Sequence, residues 1–530
     1  MIGHDVVSRK MDETYVQGDG LTIPQFYNLA NAQNIGAQNF VAKYRTYSAF
    51  FDAKIDFKSY LFLDVTGRKD WTSTLTKGKN SFFYPAASLA FVFTDALGMS
   101  TNKILPFGKV RFSYSNIGKD APVSVTKSYY GKAAYADGWT SGISFPFDGT
   151  PGFQRSDVQG NEFLKPERQR EIEIGTDLRF LQNRIGLDFT YYSRKETDVI
   201  IPVDIAASTG YTQALLNSGE IQNKGIEIGL NLSPVQTKNF TWDITVNWSQ
   251  NKSKILKLAT GVDNVNLGGF EGTSIKAVKD QPYGVIYGYE YQRDASGNLV
   301  LDDNGSPDPT SPNYNPLYAT PIAGTVEGVI GNPNAKWLMG IANTFQFKGL
   351  SLYALIDIKH GGDIWNGTRG ALSYFGTSKL TENRGEIKTF EGNLGHLDAA
   401  GNIVHYNGVG DEVAGPGSVN TTGAELGEAW YTTEGGGFGT TAKQFVQDGS
   451  YTKLREISLS YDFTRSIIKN KKYIKGLELG VYARNIILKT KYDGVDPETS
   501  LTGAGSNSNG LDYFNMPGVK NYGVNLKVKF

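Results

Sequence analysis

The sequence predicts an all-β chain that crosses a membrane as an antiparallel β-barrel, and three observations carry that expectation. Apolar and polar residues alternate in segment after segment, the connections between segments alternate short and long, and the final segment ends on an aromatic residue. A strand of this period has one dry face and one wet face. A barrel strand in an outer membrane turns the dry face to lipid and the wet face to the lumen.

The last ten residues alternate without a fault. Tyr522, Val524, Leu526, Val528 and Phe530 fall on one face, and Asn521, Gly523, Asn525, Lys527 and Lys529 on the other. A terminal aromatic such as Phe530 resembles the signal that bacterial outer-membrane assembly machinery reads, so these five apolar residues are the expected assembly signal. The same period recurs upstream. Ile172, Ile174, Leu178 and Phe180 oppose Glu171, Glu173, Asp177 and Arg179; Ile226, Ile228, Leu230 and Leu232 oppose Glu227, Gly229 and Asn231. In Phe240, Trp242, Ile244, Val246 and Trp248 the aromatics sit near both ends, as interfacial girdles do. Further strands read at 185–192, 350–358 and about 45–57, 58–70, 82–94, 108–117, 336–348, 453–464 and 475–488.

The connections are short at 56–58, 181–183, 234–239 and 348–349, and long over about 118–168, 198–222, 253–335, 361–450 and 489–519. Outer-membrane barrels keep short periplasmic turns and long extracellular loops. A soluble sandwich has no reason to lengthen every second connection. The count is about thirteen crossings, with 283–293 expected as β-structure inside an extracellular loop, because a single extra crossing would break the alternation. An odd total, where complete bacterial barrels have an even one, leads us to expect further strands upstream. Residues 1–43 read as an extracellular loop or a remnant of that upstream barrel, and 44–530 as the carboxy-terminal barrel portion.

Composition removes several function classes. The 530 residues include no cysteine, which excludes disulfide scaffolds, thiolate metal sites and thiol catalysis. Balanced totals of 53 basic and 53 acidic residues give no electrostatic case for nucleic acid. No apolar run approaches the roughly 18 residues of a membrane-spanning helix. The first residues lack a charged segment followed by an apolar one, so no signal peptide is visible and the sequence is expected to be a piece of a longer polypeptide.

Several segments, in order, resemble one family. Thr66-Gly67-Arg68-Lys69-Asp70-Trp71 leads into Asn80-Ser81-Phe82-Phe83-Tyr84-Pro85; Leu164-Lys165-Pro166-Glu167 precedes Glu173-Ile174-Gly175; Asn223-Lys224-Gly225-Ile226-Glu227 follows Asn217-Ser218-Gly219-Glu220-Ile221. Ile330-Gly331-Asn332-Pro333-Asn334-Ala335-Lys336-Trp337 follows, then Ala483-Arg484-Asn485, Thr490-Lys491-Tyr492 and Asp496-Pro497-Glu498. Together these resemble the carboxy-terminal barrel of SusC/RagA-type TonB-dependent outer-membrane transporters of Bacteroidetes. The resemblance implies a barrel of about 22 strands, TonB-dependent uptake of oligosaccharides or peptides, and a SusD-like surface lipoprotein as partner. It also implies a plug domain and a TonB box, neither visible in this sequence, so contact with the TonB complex is expected only through an amino-terminal part. The alternative is a non-transporting all-β adhesin or binding module at the cell surface.

The loops hold the candidate binding residues. Trp139, Trp365, Trp430 and Tyr431 lie outside the strands, where flat rings can stack on sugars or peptide side chains or else pin the loops together. Asp302, Asp303 and Asn304 form a weak calcium-like candidate, which Ser306-Pro307 interrupts and no glutamate completes, so an ordinary Asx turn is the better reading. No resident cofactor is expected. His4, His360, His396 and His405 form no ligand-spaced pair, and the Gly-rich run 434–439 neither follows a strand nor opens a helix. No constellation of catalytic residues emerges, so no enzyme is expected.

Overall fold

The computed structural model describes residues 1–135, 143–407, 409–437, 441–465, 473–503 and 505–530. Trp139 lies outside the described residues. The wall is one antiparallel path of strands in chain order. It starts with β1 (Ile2–Leu21), β2 (Ala32–Phe57), β3 (Leu61–Thr72), β4 (Ser81–Val92) and β5 (Phe107–Lys119). It continues through β6 (Glu167–Phe180), β7 (Ile185–Asp204), β8 (Gln213–Gln236), β9 (Phe240–Lys257) and β10 (Trp337–Phe347). It ends with β11 (Leu350–His360), β12 (Tyr451–Asp462), β13 (Gly476–Thr490) and β14 (Asn521–Lys529). Among the described residues β1 and β14 each pair on one side only, so the sheet has two open edges.

Among the described residues the wall therefore has fourteen strands, where the sequence predicts about thirteen. The addition is β1, drawn from residues 1–43, which pairs with β2 from Ile2 opposite Phe51 to Leu21 opposite Ala32. The even number removes the parity argument for upstream strands. Residues 283–293 contribute no crossing: Val285–Gly288 pairs with Thr273–Val278 and Gly328–Gly331 in a separate loop sheet.

Register confirms the two faces. Leu187, Leu230, Val246, Ile341 and Ile356 are cross-strand neighbours on one face. Asp188, Gly229, Asn247, Gly340 and Asp357 are neighbours on the other. Aromatics on the apolar face collect at both rims. Tyr47 packs on Trp71 at 5.3 Å at one rim, and Trp242 stacks on Phe345 at 5.5 Å at the other. Such belts place amphipathic rings at the headgroup level. The tightest turn is Lys348-Gly349, with φ of 46° and 94°. Two positive φ values match the right-handed strand twist, and glycine bears the second without a steric cost. No helix among the described residues is long and apolar enough to cross a membrane.

Candidate functional site

All the large loops leave from one rim, and they build a cap with cores of its own. Asn264–Phe270, Thr273–Val278, Val285–Gly288 and Gly328–Gly331 form one sheet. Ile275, Ile286 and Ile330 from its strands pack with Phe445 and Leu511, each nearly or fully buried. Trp365 belongs to this core at 4% exposure, stacked near Tyr513 at 6.5 Å. Trp430, 7% exposed, packs against Phe390 at 5.2 Å and Leu301 in a second core. Tyr431 is half-buried beside it and donates its hydroxyl to the Leu380 carbonyl at 3.0 Å. The expected stacking platforms are thus corrected at Trp365 and Trp430, whose ring faces are covered by the loops' own apolar residues. The described part of the Gly-rich run, 434–437, serves the same packing. A Cβ on Gly437 would lie 2.4 Å from the Gly370 backbone, so the chain there presses on the helix Gly367–Tyr374.

The weak metal candidates do not converge on a common centre. Asp303, also buried, meets His396 Nδ1 at 2.6 Å and accepts the Tyr406 N–H at 3.0 Å. Asp302 accepts from the Asn304 N–H and side chain, both at 2.9 Å, and from Asn315 at 3.0 Å. These bonds close an Asx turn and a loop contact. Among the described residues no group of three or more His, Cys, Asp or Glu is arranged to hold a metal ion.

Two features that sequence reasoning missed lie where cap meets wall. The first is a charge cluster on the polar face. Lys453 in β12 is 3% exposed, and its Nζ lies 2.8 Å from both carboxylate oxygens of Asp496 and also reaches Glu498. Arg455 donates to Glu498 and to Asp357 in β11, each at 2.7 Å, and Tyr451 donates to Glu498 at 2.8 Å. Burial alone would raise the Glu498 pKa, but the bonds from Arg455, Lys453 and Tyr451 outweigh it and hold the carboxyl down at about 2. The loop is fixed further by Asn366, which donates to the Asp493 carbonyl at 2.7 Å. The available signal was the Asp496-Pro497-Glu498 motif, whose partners lie more than forty residues upstream.

The second feature is a groove under the cap on the polar face. Two adjoining cavities of about 480 and 530 Å³ share Lys119, Glu167, Glu196 and Val199. The register of β7 slips between Glu196 and Val199, around Asp198 at φ 58°. A bulge at a barrel rim bends the strand and re-aims its side chains. Glu167 is paired with Lys119 at 3.1 Å, whereas Glu196 makes no hydrogen bond or ion pair among the described residues. Loop residues Tyr283, Asn334 and Asn507 close the second cavity.

The expected assembly signal lies along the open edge. Tyr522, Val524, Leu526 and Val528 face Ala483, Val481, Leu479 and Leu477 in register, and Phe530 follows the strand, 80% exposed.

Residues 3–486 match the family described as TonB dependent receptor-like, beta-barrel. TonB-dependent receptor P3 of Formosa agariphila is 24% identical over 501 residues, covering 91% of this chain and 45% of the relative. TonB-dependent receptor SusC of Bacteroides thetaiotaomicron is 25% identical over 497 residues, covering 89% and 42%. Among solved structures, the RagAB peptide transporter superposes with a TM-score of 0.66 at 19% identity, over 99% of this chain and 52% of that one, which shows the fold. The chain spans about half the length of the relatives it matches. With two-faced strands, one-sided loops and the match in agreement, this chain belongs to the TonB dependent receptor-like β-barrel family, as an outer-membrane barrel portion of SusC/RagA type.

Proposed function

We propose that these residues form part of the wall, and the extracellular cap, of a TonB-dependent importer for oligosaccharides or peptides that works with a SusD-like surface lipoprotein. The observation that carries this reading is the cap itself: loops from one rim only, tied by Lys453, Arg455, Asp496 and Glu498 onto a charged face that cannot face lipid. An importer needs such a constriction above a polar lumen. The peptide class is supported by the name of one relative, the RagAB peptide transporter, and the oligosaccharide class by the family resemblance alone.

The open edges fit the same reading. Unpaired backbone groups in a bilayer cost several kcal/mol each, so a wall with edges at β1 and β14 requires further strands beside both. Energy coupling is assigned to a plug and TonB box outside these residues. No residue here is given catalytic work. The test is uptake in the native host: disrupting the gene should abolish growth on a particular oligosaccharide or peptide, and the protein should resist carbonate extraction from outer membranes. Release by carbonate, with growth unchanged on all such substrates, would favour the adhesin-like module instead.

A further inference from the structure

We infer that the rim groove binds the ammonium or guanidinium group of a peptide, which makes peptides carrying lysine, arginine or a free amino terminus the substrate class; this rests on the importer reading above. The argument starts from charge. Of the carboxylates lining the first cavity, Asp70 is held by Arg68 at 2.8 Å and Glu167 by Lys119 at 3.1 Å. Asp120 accepts the Thr72 and Thr74 hydroxyls and interacts with the Tyr44 hydroxyl, and Glu196 makes no hydrogen bond or ion pair among the described residues, with Arg194 and Lys119 acting on it only at longer range. Neither lies within 4 Å of a cation there. Of the remaining cationic lining residues, Arg168 is turned to the Phe83 carbonyl, and Lys257 lies in the second cavity.

Independent observations point to a ligand. Thr46 lines the same cavity at 6% exposure, and its Oγ1 has no hydrogen-bond partner among the described residues. A buried, unmet hydroxyl is costly unless something binds it. The β7 bulge sets Glu196 at the junction of the two cavities. Beyond it the wall is mainly aliphatic, with Val199, Ile221 and Ile255 in line. An ammonium group at Asp120 or at Glu196 with an apolar neighbour on those residues is peptide chemistry. A neutral sugar brings no cation.

The experiment uses the protein purified from outer membranes in detergent and three probes: the peptides Ala-Leu-Lys-Leu-Ala and Ala-Leu-Gln-Leu-Ala, both amino-terminally acetylated, and maltopentaose. The lysine peptide should bind about tenfold more tightly than the glutamine peptide, the scale of one charge-assisted hydrogen bond. Glu196→Gln and Asp120→Asn should each reduce that preference at least threefold, and Glu13→Gln, the same charge change far from the groove, should leave it intact. Equal binding of the two peptides, binding of maltopentaose alone, or an equal effect of Glu13→Gln would overturn the inference. Peptide preference without uptake by cells would sink the importer reading and leave the groove. Uptake without preference would do the reverse.

Discussion

Leu230→Arg should block membrane insertion, and Asn231→Arg, one residue along, should not. Leu230 sits between Leu187 and Val246 on the apolar face, whereas Asn231 sits between Gly186 and Thr245 on the polar face and accepts the Thr245 hydroxyl at 3.0 Å. Leu230 is six residues from the end of β8 at Gln236. Six residues of strand are roughly 20 Å, and at a tilt of about 40° that is roughly 15 Å above the periplasmic turn, near the middle of an apolar band about 25 Å tall. An arginine at that depth costs about 2–4 kcal/mol, or roughly 30- to 700-fold in the folded-to-unfolded ratio. On the polar face the added charge meets water and Asp188 across the sheet, and the cost falls to a fraction of this. Heat-modifiability on gels and outer-membrane yield read the difference directly. Equal damage from both substitutions would show that the faces are assigned wrongly, and the barrel reading would fall with them.

Three further outcomes follow from the same geometry. Phe530→Ser should lower outer-membrane insertion and leave degraded or periplasmic material; normal surface yield would remove the assembly role of the terminal strand. Trp365→Ala should loosen the cap by about 3–5 kcal/mol, read as faster proteolysis of the loops, while Trp365→Phe costs less because its Nε1 has no partner to lose among the described residues; an intact cap in Trp365→Ala would contradict its place in the core. The Glu498 contacts should stabilise the loop at neutral pH and fail in acid. Its folded pKa of about 2 lies below the ordinary 4.5, so that stability is complete above 4.5 and is lost as pH falls toward 2. Hydrogen exchange over residues 492–498 should keep its protection at pH 6 and lose it toward pH 2.5, and Glu498→Gln should already lack it at pH 6; protection independent of both would refute the coupling.

What could be read in the sequence follows where lipid imposes a rule. In β8, β9 and β14 one face must be apolar, and the alternation is visible residue by residue. The greater part of β1 escaped for the opposite reason. Ser8 to Leu21 pair only with the part of β2 that lies beyond the reach of β3, whose pairing begins at Thr46. That ribbon projects past the membrane, and Arg9, Lys10, Asp12 and Glu13 put charge on both its faces. No lipid constrains it, so no period marks it. The loop tryptophans escaped for another reason. Whether Trp365 is exposed depends on Ile275, Ile286 and Leu511, which come from three other loop segments, and no local pattern brings them together.

The wall and the cap therefore obey different physics, and their junction is where chemistry can be placed. The wall is fixed by lipid on one side and by backbone pairing along its strands. The cap has the apolar core of a water-soluble domain, with Ile275, Ile286 and Leu511 fully buried. Charges are expensive in either interior, yet Lys453 is buried where the two meet, and its bonds to the partly buried Asp496 and the more exposed Glu498 offset the desolvation. A rigid tie at β12 leaves the opposite side of the rim, from β2 to β9, free of that constraint. The β7 bulge, the unpaired Glu196 and the adjoining cavities all lie there. A cap clamped on one side and hollow on the other admits a ligand along the hollow side, where the free carboxylates are.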